Sequence, residues 1–237
     1  MAERKKSVGN EQPLPIDIIN DSIIEYLETK DLDKEVLLLK VKAQCHGDNR
    51  ARKAANAIYS VVTKKSALNK AILNNYTPES YYKLNKADKN TIAISLICLR
   101  FPFTFDFVLS LAKIFNVQDT VNKRYINERM ASLYGSNLSL VHGIEAALTI
   151  SINCGFIKRE KLGLFSICEP CQKTSFSKEA WISTFFELNG KKSFAISDLR
   201  YEPVMTYLSD LNVDWDNAKI LHTTEDYNNQ IIIDKFI

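Results

Sequence analysis

The chain has 237 residues, beyond the single-domain mode of about 100 to 150, so one elongated domain or two small ones fit its length. With 46% hydrophobic and 25% charged residues the composition is that of a soluble globular protein and argues against disorder, while only 7 Gly and 6 Pro argue against a loop-rich β or collagen-like architecture and favour a helical fold. The net charge of +3 hides an asymmetry: residues 1–39 carry −4, residues 40–173 carry +11 and residues 174–237 carry −4; so localised an excess suits a phosphate-facing surface, and a solvated Lys-rich face equally well.

The first residues, MAERKKSVGNEQPLP, are basic and lack the apolar core of a secretory signal. The longest apolar run, Ile92 to Leu99, is interrupted by Arg100, well short of the roughly 18 to 20 residues that a membrane span needs. The expectation is a cytoplasmic protein with no membrane partner.

After a tail to about Pro15, Asn20-Asp21-Ser22 offers caps for a short helix through Ile23, Ile24 and Leu27. Asp33 caps a second helix, DKEVLLLKVKAQC, that ends at His46-Gly47. In DNRARKAANAIYSVVTKK the apolar positions Ala51, Ala54, Ala55, Ile58, Val61 and Val62 recur at helical spacing. At about 100° per residue, Arg52, Lys53, Asn56, Ser60, Thr63 and Lys64 gather on the opposite side as a basic stripe. Further helices are expected at Ser66–Asn74 and, behind Thr77-Pro78, at Tyr81–Leu84. The run DKNTIAISLICLRF follows from Asp88, and Pro102 opens FTFDFVLSLAKIF, whose Phe103, Phe107, Leu111 and Ile114 make it a buried helix. Helical patterns continue at Thr120–Tyr134 and Leu138–Asn153, separated by Gly135-Ser136-Asn137. Period 2 then replaces period 3.6: Phe156 to Glu160, a turn at Lys161-Leu162-Gly163, and Leu164 to Ile167 read as a short hairpin. Beyond Glu169-Pro170 the pattern predicts a helix over Ser177–Leu188, a strand at Ser193–Ile196, a helix near Asp198–Leu208, and two apolar runs, Ala218–Leu221 and Gln230–Ile237.

Five cysteines are an odd number in a chain without an export signal, which fits reduced thiols better than a disulfide framework. Cys168-Glu-Pro-Cys171 has the spacing of a zinc knuckle or redox dithiol. A structural zinc site needs a second such pair and a redox pair sits at a strand-to-helix turn, so these are read as core or loop cysteines, with no metal and no cofactor. Enzyme motifs are missing: there is no GxGxxG, GxxxxGK, GxSxG or HExxH, and three scattered histidines offer no triad spacing. Asp17, Asp21, Glu25 and Glu28, at helix-like spacing, read as a solvated face, and Asp214 and Asp216 flank Trp215 without a metal-ligand pattern.

The segment YINERMASLYGSNLSLVHGIEAALTISINCGFIKREKLGLFSI places Gly135 in a turn between two helices, Gly155-Phe156-Ile157 before a first strand, and Lys158, Arg159 and Lys161 around Gly163. Over residues of about 90 to 168 this resembles the winged helix-turn-helix family. The resemblance implies that the second helix meets the major groove with its N-terminal turn while the wing contacts backbone or minor groove. Projection of Leu138–Asn153 puts Leu140, Val141, Ile144, Ala147, Leu148 and Ile152 on a core face. Asn137, Ser139 and His142 remain outside as groups for base edges or phosphates, with Gly143 and Ala146 permitting close approach. Glu145 departs from the pattern, since a carboxylate there accepts from cytosine or is repelled by phosphate, and no Arg or Lys lies within this helix.

The expected protein is mainly α: an N-terminal helical region (1–87), a central winged-helix-like domain (88–170) with small β hairpins, and an α+β C-terminal region (171–237). Its expected role is non-catalytic, weakly specific binding of double-stranded DNA. The phosphate contacts would come from Arg50, Arg52, Lys53 and Lys64 on the early helix, Lys123 and Arg124 before the helix-turn-helix, and Lys158, Arg159 and Lys161 on the wing. The alternative is a subunit of a larger assembly whose winged helix docks a protein partner.

Overall fold

Short polar side chains set most helix boundaries in the computed structural model, which describes residues 7–190, 193–225 and 231–235. Helix α1 (Ile16–Thr29) follows Pro15, and α2 (Lys34–Lys42) is capped by Asp33, whose carboxylate accepts from the N–H groups of Glu35 at 2.8 Å and Val36 at 3.2 Å. Helix α3 (Asp48–Thr63) buries the whole apolar series read from its spacing. The shorter α4 (Ala67–Asn75) and α5 (Pro78–Tyr82) are capped by Ser66 and Thr77. Helices α6 (Lys86–Arg100) and α7 (Pro102–Phe115) meet at a bend of 120°. Pro102 lacks the N–H that would continue α6 and pushes Phe101 out of the helical region.

Next come β1 (Thr120–Asn122), α8 (Lys123–Tyr134), α9 (Leu138–Asn153), β2 (Ile157–Lys161) and β3 (Leu164–Ile167). The three strands form an antiparallel sheet in the order β1-β3-β2, with a register shift between Arg159 and Lys161. After α10 (Ser175–Asn189), the strands β4 (Ser193–Ala195), β5 (Leu221–Glu225) and β6 (Ile231–Lys235) make a second antiparallel sheet in the order β4-β6-β5, with the single-turn α11 (Ile196–Leu199) following β4. The molecule is thus mainly helical with two small antiparallel sheets.

Several boundaries differ from the local expectation. The first helix begins at Ile16 rather than Asn20, because Ile16, Ile18 and Ile19 are all buried in the core. Thr120–Asn122 is a strand, since Val121 is fully buried opposite Phe165, and Asn122 then starts α8 by accepting from the N–H of Arg124 at 2.8 Å. The helix expected near Asp198–Leu208 is α11 plus a 3-10 turn over Pro203–Tyr207; Pro203 removes a helical donor between them. Of the run Ala218–Leu221 only Leu221 enters a strand, and of the run 230–237 the described strand covers Ile231–Lys235; Gln230, Phe236 and Ile237 lie outside the described residues.

Helix α6 lies at the centre, buried at nearly every position from Asp88 to Leu99 and packed against α1, α3, α7 and α10. Buried apolar side chains from Val8 to Ile233 form one continuous cluster, each large one contributing roughly 1.5 to 3 kcal/mol. No single helix among the described residues is long and apolar enough to cross a membrane.

Candidate nucleic-acid interface

Helix α9 begins on the surface and ends in the core. Asn137 caps it, its side-chain oxygen accepting from the N–H of Leu140 at 2.8 Å, so one of its polar atoms serves the helix itself. Ser139 is half-buried and His142 is exposed. Around them lie apolar groups: Leu138 is 71% exposed and Val141 51%. The projection had Val141 in the core and Gly143 and Ala146 outside; the structure reverses all three. Gly143 is covered by the N-terminal segment and by α7, so closely that a Cβ there would meet Cγ1 of Val8 and stand 3.1 Å from the Phe103 ring.

The anomalous Glu145 is neutralised in place. Its carboxylate pairs with the ammonium of Lys123 at the start of α8, and the Lys123 backbone N–H donates to the carbonyl of Gly163 at 2.8 Å. That residue therefore ties α8, α9 and the hairpin turn together, and its charge is already answered. Arg124 pairs with Glu128 at 2.9 Å on the exposed side of α8. On the hairpin Lys158 pairs with Glu160 at 3.0 Å. The Glu160 carboxylate also accepts from the Ser166 hydroxyl at 2.6 Å, and this hydrogen bond, aided by Lys158, holds its carboxyl below the usual range. The guanidinium of Arg159 sits 5.6 Å above the Phe165 ring. Lys161 is exposed with no ion-pair partner among the described residues, beside Leu162, which is 94% exposed at the turn made by Gly163 with φ 74°.

The early-helix cations form a second group, because α3 packs mainly on α1, α2 and α6. Arg50 donates to the side-chain oxygen of Gln12 at 3.2 Å. Lys64 donates to the carbonyl of Leu99 at 2.7 Å, where it satisfies the C-terminal end of α6 rather than facing outward. Arg52 and Lys53 are exposed. Lys53, Asn56, Ser60 and Gln12 wall a cleft of about 380 Å³ together with Arg100, which donates to the Ser60 hydroxyl at 3.0 Å. Arg100 belongs to this group but reads in the sequence only as the end of an apolar run; a lone cation closing such a run is the signal that marks it. Arg129, exposed on α8, was likewise not anticipated.

The cysteines are all free thiols. Burial pushes the Cys98, Cys154 and Cys168 thiols up, away from the nucleophilic thiolate. Among the described residues no group of three or more His, Cys, Asp or Glu side chains is placed to hold a metal ion. No family model, curated protein or solved structure matches the chain.

Proposed function

We propose that the protein binds double-stranded DNA without catalysing a reaction, through a winged helix-turn-helix made of α7, β1, α8, α9 and the β2–β3 hairpin. One observation carries the reading: the element order helix, strand, helix, helix, hairpin with the sheet order β1-β3-β2, in which the start of α9 is exposed and the hairpin carries Lys158, Arg159 and Lys161. In this reading α9 enters the major groove at Asn137, Ser139 and His142, and Arg159 and Lys161 meet phosphates. The Lys123–Glu145 pair removes the repulsion that a bare carboxylate would exert. Residues 120–167 carry a net +3, and α9 offers no Arg or Lys, so binding is weakly specific. Arg52, Lys53 and Arg100 extend the phosphate contacts when the duplex reaches α3.

An electrophoretic shift with random duplex across a salt series tests this. Binding should weaken steeply with salt, and Arg159→Ala with Lys161→Ala should flatten the log-affinity against log-salt slope by about 1.8, or 0.9 per phosphate contact. An unchanged slope, or no shift at about 50 mM salt, defeats the reading.

A second reading is favoured by the exposed Leu138, Val141 and Leu162: the same face docks a protein partner as a subunit of a larger assembly. Replacing Leu138 and Val141 by Ser separates the two, because the change should spare duplex binding and abolish co-purification of a partner if docking is the function.

A further inference from the structure

One side of α3 lines a cleft in which an arginine is already oriented. Lys53, Asn56, Ala57 and Ser60 follow one another at i, i+3, i+4 and i+7 and so form a single wall. Residues 9–12 of the N-terminal segment, with Arg100 and Phe101 at the end of α6, complete this one cleft of about 380 Å³. The N-terminal wall is fixed by its own hydrogen bonds. The Asn10 amide donates to the carbonyl of Gln12 at 2.7 Å, the Asn10 side-chain oxygen accepts from the Gln12 N–H at 3.2 Å, and the Gln12 side chain accepts from Arg50 at 3.2 Å.

Arg100 is held by its inner atoms and free at its outer ones. Its Nε donates to the Ser60 hydroxyl at 3.0 Å, and its guanidinium carbon lies 5.1 Å from the centre of the Phe101 ring. Both Nη groups lack a partner among the described residues. A guanidinium is a planar fork that matches two oxygens of one anion, and a fork whose stem is already fixed loses little freedom on binding. Lys53 and Asn56 also have no partner among the described residues. Glu11, half-buried, is the only carboxylate among the described residues that line the cleft, and it too is unpaired among them. A bare anion would leave Glu11 facing a like charge, whereas an anion that also brings hydroxyl donors answers it. A cleft of this volume is the size of a small-molecule site and admits no duplex.

We propose that this cleft binds a phosphate monoester that carries free hydroxyl groups, a sugar phosphate. The Arg100 fork takes two phosphate oxygens, Lys53 and the Asn56 amide take the third, and Glu11 accepts from a sugar hydroxyl. The same phosphate chemistry occurs at the 5′ end of a DNA strand. The site shares Lys53 and Arg100 with the phosphate contacts proposed on α3 but no residue with the α9 and hairpin face, so the two readings fail separately.

Calorimetric titration of the full chain with ribose 5-phosphate tests it, alongside ribose and inorganic phosphate, which lack in turn the phosphate and the sugar. Ribose 5-phosphate should bind saturably, and each partial compound at least about tenfold more weakly. Arg100→Gln and Lys53→Gln should each weaken ribose 5-phosphate about tenfold. Arg100→Lys, which keeps the charge but not the fork, should restore only part of that loss. Glu11→Gln should weaken ribose 5-phosphate while inorganic phosphate binds no more weakly than before. Lys53 and Glu11 engage no other side chain among the described residues, so their variants keep the fold, as circular dichroism would verify. Duplexes with 5′-phosphate and 5′-hydroxyl ends, and a closed circular duplex, separate the two sources. A preference of about tenfold for the phosphorylated end that Arg100→Gln abolishes would keep the monoester site and make a strand end its ligand. The proposal is overturned if ribose 5-phosphate does not bind at up to about 10 mM and no such preference exists. It is overturned equally if Arg100→Gln and Lys53→Gln leave ribose 5-phosphate binding unchanged, or if Arg100→Gln weakens the closed circle as much as the phosphorylated end.

Discussion

Helices α9 and α10 are both largely buried, but they are held by different physics. α9 fits by shape: Gly143, Ala146 and Ala147 let Val8 and Phe103 approach its backbone, and most of its buried surface is apolar. α10 buries charge near its start, at Lys178 and Glu179. The Glu179 carboxylate, 1% exposed, accepts from three consecutive backbone N–H groups, those of Lys219 at 2.9 Å, Ile220 at 2.6 Å and Leu221 at 2.8 Å. The buried Lys178 ammonium pairs with Asp210 and donates to the carbonyl of Asn212 at 3.1 Å. Asp88, fully buried on α6, accepts from the Thr174 N–H at 2.7 Å and so fixes the entry to α10. The chain from residue 200 to residue 220 has only short 3-10 turns of its own. Apolar contact has no direction and would leave such a segment free to slide, whereas a buried carboxylate bound to named N–H groups sets its register.

The largest test of that contrast is Glu179→Ala, which strands three backbone donors and should cost about 3 kcal/mol in urea unfolding. Glu179→Gln, which keeps one acceptor oxygen, should cost clearly less. Equal and small losses for both would mean that the C-terminal segment is held by its apolar contacts instead. Next, Gly143→Ala puts a methyl into Val8 and should cost about 1 to 3 kcal/mol. Adding Val8→Ala removes the colliding atom, so the double variant should recover part of that loss, and strict additivity would show that the close approach is not what Gly143 serves.

The smallest expected effect is one of pH. Asp210 has its carboxyl lowered from 3.8 to about 2, first by its hydrogen bond from Lys178 and then by the N–H of Asn212. A carboxylate with a depressed folded pKa contributes stability that is complete above the unfolded value and lost as pH falls from about 4 to about 2. The side chain is 35% exposed, so solvent screening keeps that contribution under about 1 kcal/mol. Asp210→Asn should therefore forfeit that contribution at pH 7, match the parent near pH 2, and flatten the stability profile between pH 4 and 2. A profile identical to the parent would show that the Lys178 ammonium is satisfied by Asn212 alone.

Elements whose hydrogen bonds close within a few residues were legible in the sequence. The apolar spacing of α3, the bounds of α9 at Leu138 and Asn153, and the hairpin around Gly163 all follow from neighbours in the chain. Elements that need a distant partner were not. Thr120–Asn122 is a strand only because β3 offers Phe165 opposite Val121, and β6 is a strand only between β4 and β5. The candidate site divides in the same way. Exposure of Arg52, Lys161 and His142 follows from local patterning, but the pairing of Lys123 with Glu145, the capture of Lys64 by Leu99 and the outward turn of Val141 do not. A periodic pattern reports which side of a helix is apolar. Which of its residues are covered, and which charges are already answered, depends on chain segments brought together only by folding, as Val8 is brought onto Gly143.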